Sequence, residues 1–166
     1  SSKTKNLKYI NIDLPPLSLL TEMYLSKIFG KKNVTDNFLI KKGKMIEIKK
    51  LKKFSSFNSW QIEKLRGNID IFVNYISFQE MEPHVLENYS KFIIKLKPKY
   101  LLLRNLREGK QLKKKNLKFG VNKQILFKTY LKNFSSKYKL IEKNVVPYGF
   151  KTFDNFNSEI LIFKRK

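Results

Sequence analysis

Residues 69–85, Ile-Asp-Ile-Phe-Val-Asn-Tyr-Ile-Ser-Phe-Gln-Glu-Met-Glu-Pro-His-Val, constrain the fold more than any other segment of the chain. Ile69 to Ile76 is a β-prone run interrupted only by Asp70 and Asn74. Such a run predicts a strand buried in a parallel sheet, because helices cover both faces of these sheets and leave few polar positions. Polarity then changes sharply at Ser77, Gln79, Glu80 and Glu82, and Pro83 suits the first turn of an amphipathic helix. Polar groups at the carboxyl end of a parallel strand face the crevice where open α/β sheets take ligands. This segment is the leading candidate site.

The flanking sequence alternates between strand and helix patterns. Leu7 to Ile12 reads as a short strand ending at Asp13, and Leu14-Pro15-Pro16 breaks it. A helix is predicted over Leu17 to Phe29, with Leu17, Leu20, Tyr24, Leu25 and Ile28 as its apolar stripe and Gly30 as its C-cap. Phe38-Leu-Ile40 and Met45-Ile-Glu-Ile48 are short β-like pieces. Phe54 to Leu65 is expected to hold a helix starting near Ser59, anchored in the core by Trp60 and Leu65, before a turn at 66–68.

After the opening strand, a helix is predicted from His84 to Lys95 with Val85, Tyr89, Phe92, Ile93 and Leu96 inward. Tyr100 to Leu103 is a second apolar strand closing on Arg104-Asn105, and residues 108–118 read as a charged loop. Lys123 to Phe134 is a helix, Tyr138 to Val146 a strand, Tyr148-Gly149 a turn and Ser158 to Lys164 a final strand. Strands alternating with helices, then two strands close together, imply an α/β fold whose mostly parallel sheet carries an antiparallel C-terminal strand.

At 166 residues the chain has room for one core, so a single domain over 1–166 is expected. The absence of cysteine excludes disulfides, zinc-thiolate sites and a thiol nucleophile, and fits a reducing cytoplasm. No apolar run approaches the roughly 20 residues of a membrane-spanning helix. Residues 1–6 are polar and offer no signal-peptide core. A cytoplasmic protein without a membrane span is the expectation.

The net charge of +23 raises the question of nucleic acid. Arginine, the residue suited to bidentate phosphate and guanine contacts, occurs only at 66, 104, 107 and 165, leaving 32 of the 36 basic residues as lysine. The lysines run along the whole chain among abundant Asn, Ile, Phe and Tyr, all of which share A- and T-rich codons. Biased nucleotide composition therefore explains the excess better than a dedicated polyanion surface. The densest clusters, at 41–44, 49–53 and 113–115, read equally well as solvated loops.

Two motifs carry a resemblance. Ile12-Asp-Leu-Pro15 and Val73-Asn-Tyr-Ile-Ser-Phe-Gln-Glu-Met81 are similar to the putative sugar O-methyltransferases, a family of the S-adenosylmethionine-dependent methyltransferase fold. The match covers roughly residues 5–107. It implies a Rossmann-like methyltransferase sheet in this chain, and methyl transfer from S-adenosylmethionine to a hydroxyl of a sugar or glycan precursor. It also implies a first strand and Gly-rich cofactor loop upstream of Asp13. The six glycines include no pair one residue apart, so the expectation is a domain incomplete at its N-terminus and, as an isolated chain, inactive.

By the same resemblance Asp13 and Leu14 match the cofactor-binding turn. Asp13 either accepts the paired ribose hydroxyls or merely caps the following helix. Asn74 would lie by the donor methyl, or else bond the backbone at its strand end. Ser77, Gln79, Arg104 and Asn105 are the acceptor-binding candidates, with loop stabilisation the alternative for the last two. Glu80 is the first candidate for general base, its alternative being a helix N-terminal carboxylate favoured by the dipole. His84, the lone histidine, is the second. No dense carboxylate cluster suggests a metal. Two other classes stay open: a basic nucleic-acid-binding module, and a methyltransferase-like domain without catalysis.

Overall fold

A computed structural model of the chain describes residues 7–37, 44–114, 119–144 and 157–166. The expected β piece at 38–40 and the turn at 148–149 lie outside the described residues, as does the end of the strand expected to reach Val146. The chain is mixed α/β, with parallel and antiparallel strand pairs, and divides into two compact units, residues 1–67 and 68–166.

In the first unit β1 (Tyr9–Asp13) pairs in parallel with β3 (Phe54–Asn58), Tyr9 opposite Phe54 and Asp13 opposite Asn58. A second short parallel pair joins β2 (Ile46–Glu47) to β4 (Leu65–Arg66). Lys8 ties the two regions together: its ammonium donates to the carbonyls of Ile48, Lys49 and Leu51 at 2.9, 2.6 and 2.7 Å. The sequence Phe-Ser-Ser-Phe-Asn forms a strand because its buried hydroxyls find partners. Ser55 Oγ donates to Thr35 Oγ1 at 2.9 Å and Ser56 Oγ to the Ser18 carbonyl at 2.7 Å. The helix expected from Ser59 is a 3₁₀ segment, Ser59–Lys64, started by a Gln61 side chain that accepts from the Asn58 amide at 2.7 Å. Leu65 is buried as expected, whereas Trp60 is exposed and anchors no core.

Helix α1 (Leu17–Phe29) has the predicted span but the opposite facing. It packs on β1 and β3 through Ser18 and Leu25, with Thr21, Glu22 and Ser26 half-buried beside them. Ser18 Oγ donates to Asn58 Oδ1 at 2.6 Å, so this face is held partly by polar bonds. Of the expected apolar stripe only Leu25 is buried; Leu17, Leu20, Tyr24 and Ile28 point outward.

In the second unit the strand order is β5-β6-β8-β7: β5 (Ile71–Tyr75), β6 (Tyr100–Leu106), β7 (Tyr138–Asn144) and β8 (Ser158–Arg165). β5 and β6 are parallel, joined through α2 (Pro83–Lys95), and β8 runs antiparallel to both β6 and β7. Most of the core lies on one side of this sheet. Leu101, Leu103, Leu161 and Phe163 project there with Leu86 and Ile93 of α2 and Phe134 of α3 (Phe127–Phe134), all nearly or fully buried. The Phe134 and Phe163 rings lie 6.1 Å apart. Sequence patterning missed Leu86, a fully buried residue of α2, and placed Val85, Tyr89 and Phe92 inward where they are only half-buried.

The strand predicted to be buried on both faces turns out to be a sheet edge. Ile71, Val73 and Tyr75 are each more than half exposed, and only Asn74 of β5 is buried. A largely apolar run cannot distinguish a strand covered on both faces from one with an open face.

The loop after β6 is held by a carboxylate. Glu108 accepts from the amide and side chain of Asn157, both at 2.8 Å, and from Arg107 at 2.9 Å. Burial raises its pKa, but these bonds and its own N–H outweigh that and hold the carboxyl at about 2. A depressed carboxyl stabilises the fold fully above its unfolded value of 4.5, and the contribution disappears as pH falls toward 2. The side chain is 31% exposed, so its worth is on the order of 1–2 kcal/mol. Glu108→Gln should lose this at neutral pH and show a flatter decline in stability between pH 4.5 and 2. Urea titrations across that range test it; parallel pH curves for the two proteins would disprove the linkage.

Candidate functional site

The segment that follows β5 is built around a strained turn. Ile76 adopts φ +68°, a left-handed conformation that a β-branched side chain strongly disfavours. The Ser77 amide donates back to the Tyr75 carbonyl at 2.8 Å, closing a three-residue turn, while the Ile76 amide donates to the Arg104 carbonyl at 2.7 Å. Such backbone costs on the order of 1–3 kcal/mol and persists only where its surroundings enforce it.

The enforcement is a polar lock between the carboxyl ends of β5 and β6. Asn74 Oδ1 accepts from the Phe78 amide at 3.1 Å and from Asn105 Nδ2 at 3.4 Å, and Asn74 Nδ2 donates to Ser77 Oγ. Asn105 Oδ1 accepts from the Gln79 amide at 3.2 Å. Gln79 Oε1 accepts from the Leu106 amide at 2.6 Å, and its Nε2 donates to Glu80 at 3.2 Å. Asn74, Gln79 and Asn105 are all buried. Buried amides must find partners, and these find each other, fixing the 3₁₀ turn Phe78–Glu80 at the strand ends.

Four sequence candidates thus come together, Asn74, Ser77, Gln79 and Asn105, with the buried three engaged chiefly in shaping the turn. Glu80 stands half-exposed at its rim, its carboxylate 3.0 Å from Lys110 Nζ. Arg104 lies inside β6, one residue before Asn105 and therefore on the other face of the sheet. Its Nε donates to Ser158 Oγ at 2.9 Å and its guanidinium lies 5.8 Å from the Tyr75 ring centroid. Ser77 and His84 are exposed, His84 as the second residue of α2.

Asp13 and Leu14 belong to the first unit. Asp13 ends β1, half-buried, and its Oδ1 accepts from the Leu14 amide at 2.8 Å; Leu14 itself is exposed. Among the described residues the second carboxylate oxygen accepts no hydrogen bond, so Asp13 keeps an acceptor for a hydroxyl pair.

Two features escaped sequence reading. Lys110 meets Glu80 across 30 residues, a pairing that no local pattern announces. Behind the lock, Glu159 and Tyr130 are also buried. Glu159 Oε1 lies 3.2 Å from Lys143 Nζ, within ion-pair distance but outside hydrogen-bond geometry, and the ammonium sits 4.0 Å from the Phe127 ring centroid. Burial pushes the Tyr130 hydroxyl far above its ordinary pKa, and the nearby Glu159 charge adds to the rise. Glu159 could have been suspected only as an acid inside an apolar strand.

Among the described residues no three carboxylate, imidazole or thiol groups gather into a metal-ligand set, and no helix is long and apolar enough to cross a membrane. No protein-family model matches this chain, and no curated protein matches its sequence.

Proposed function

We propose that this chain takes part in S-adenosylmethionine-dependent O-methylation of a sugar or glycan precursor. The observation that carries this reading is the strained, polar-locked turn at Ile76, because it sits at the carboxyl end of a parallel strand pair. Open α/β sheets take ligands there, and maintained backbone strain clusters at such sites. The chemistry comes from the resemblance of 12–15 and 73–81 to the sugar O-methyltransferases, and the finer fold assignment, a Rossmann-like methyltransferase sheet, rests on the same motifs.

When bound, S-adenosylmethionine supplies an electrophilic methyl group. In this reading Asp13 and the Leu14 backbone would hold a ribose on the first unit. Ser77, exposed at the turn, orients the acceptor hydroxyl, and Asn74, Gln79 and Asn105 keep that turn in place. Glu80 would take the proton that the acceptor hydroxyl gives up. Lys110 and the Gln79 amide hold the carboxylate in position meanwhile. Arg104 is the candidate for contacts to an acceptor on the other face of the sheet.

Titration calorimetry with S-adenosylmethionine and transfer of labelled methyl to sugar precursors, both on the full-length protein, test this. Asp13→Asn should weaken cofactor binding by about tenfold, and Glu80→Gln should slow transfer by about a hundredfold while leaving the fold intact. Cofactor binding without transfer would indicate a non-catalytic relative. No cofactor heat, together with salt-sensitive saturable binding to nucleic acid, would replace the proposal with the basic-module reading.

A further inference from the structure

The outward face of α1 is more apolar than the face it packs on the sheet. Leu17, Leu19, Leu20, Met23, Tyr24 and Ile28 are each between 42% and 64% exposed. At 100° per residue they fall on one half of the helix circumference, while the sheet side carries Ser18, Thr21, Glu22 and Ser26 beside the buried Leu25 and the half-exposed Phe29, whose ring stacks on Phe54 at 4.1 Å. A surface helix normally shows the reverse arrangement, and a continuous apolar patch of this kind marks a docking surface.

Charge identifies the occupant. Lys27 lies in the middle of the apolar half at its last turn, and Lys31 and Lys32 follow directly in the next 3₁₀ turn. A second copy would bring Lys27 against another apolar face that carries no acidic residue, and two chains of net charge +23 repel. Lys27, Lys31 and Lys32 gather at one end of the apolar half, and basic residues beside an apolar helix face suit an anionic lipid boundary. Lysine stems can lie along apolar surface with the ammonium reaching out to headgroups, and Tyr24 suits the same boundary.

We propose that α1 is an interfacial helix that seats this protein on an anionic lipid surface, its apolar half entering the headgroup boundary and Lys27, Lys31 and Lys32 meeting lipid phosphates. It lies on the bilayer and does not cross it.

Co-sedimentation with vesicles of phosphatidylcholine alone, and of phosphatidylcholine mixed with phosphatidylglycerol, tests the assignment on the full chain. The protein should sediment with the mixed vesicles, weakly with the neutral ones, and less as salt rises. Leu20→Asp combined with Tyr24→Asp, both outward, should reduce vesicle partitioning by about tenfold or more with an unchanged circular dichroism spectrum. Should that variant lose its fold, Lys27→Glu with Lys31→Glu serves instead and should weaken binding to anionic vesicles only. A parent that ignores anionic vesicles, or variants that bind like the parent, overturns the proposal. Concentration-dependent dimerisation abolished by the same substitutions, with no vesicle binding, also overturns it and gives the face to a second copy.

Discussion

Asn74→Leu is expected to lower stability by about 2–4 kcal/mol, because it leaves two donors, the Phe78 amide and Asn105 Nδ2, without their acceptor. Leucine has the branched outline of asparagine and is the larger of the two, so no cavity forms. The loss is the desolvation cost of N–H groups that cannot return to water. Asn74→Asp supplies an oxygen to both donors and another to the Ser77 hydroxyl, and should be the milder change. Hydrogen exchange gives the specific readout: the Phe78 and Gln79 amides should exchange faster in Asn74→Leu, ahead of the amides of α2. If the stability of Asn74→Leu equals that of the parent, the lock has no energetic role.

Phe163→Ala should cost still more, about 3–5 kcal/mol, the usual range for a large aromatic removed from a packed core. Phe163 is fully buried in β8 between Leu101 of β6 and Leu140 of β7, with the Phe134 ring 6.1 Å away. Such a loss is a large part of the total stability of an ordinary domain. Urea unfolding followed by circular dichroism measures it, and exchange should speed up throughout residues 68–166. A change below about 1 kcal/mol would mean that the core closes around the gap.

The repeating elements of this chain were legible wherever one periodicity dominated. The strand at β8 follows from a pattern of period 2 and the spans of α1 and α2 from one of 3.6, while β6 shows as an apolar run, Tyr100 to Leu103, that the strand extends to Leu106. Facing was less legible. Periodicity places Leu17, Leu20, Tyr24 and Ile28 on one stripe but does not say what the stripe meets. The inward side of α1 is instead held by Ser18 bonding to Asn58 across 40 residues. The same limit applies to β5, whose apolar run is identical whether or not a neighbour covers it. At the candidate site, the change from apolar to polar at Ser77 coincides with the turn that follows β5. Its architecture was hidden, because the bonds among Asn74, Gln79 and Asn105 depend on a left-handed Ile76 that no propensity favours.

The position of β8 bears on how the protein comes to be folded in time. β8 follows every other strand in sequence, yet it lies inside the sheet between β6 and β7. Until it emerges, β6 keeps one bare edge, β7 has no partner in the sheet, and Phe134 of α3 lacks its aromatic neighbour. A chain made from its amino end can form the β5–α2–β6 unit early through contacts close in sequence. The second unit can close only as a late event, triggered by residues 158–165. For that interval the newly made polypeptide shows a helper or a protease an apolar strand edge that the finished protein conceals.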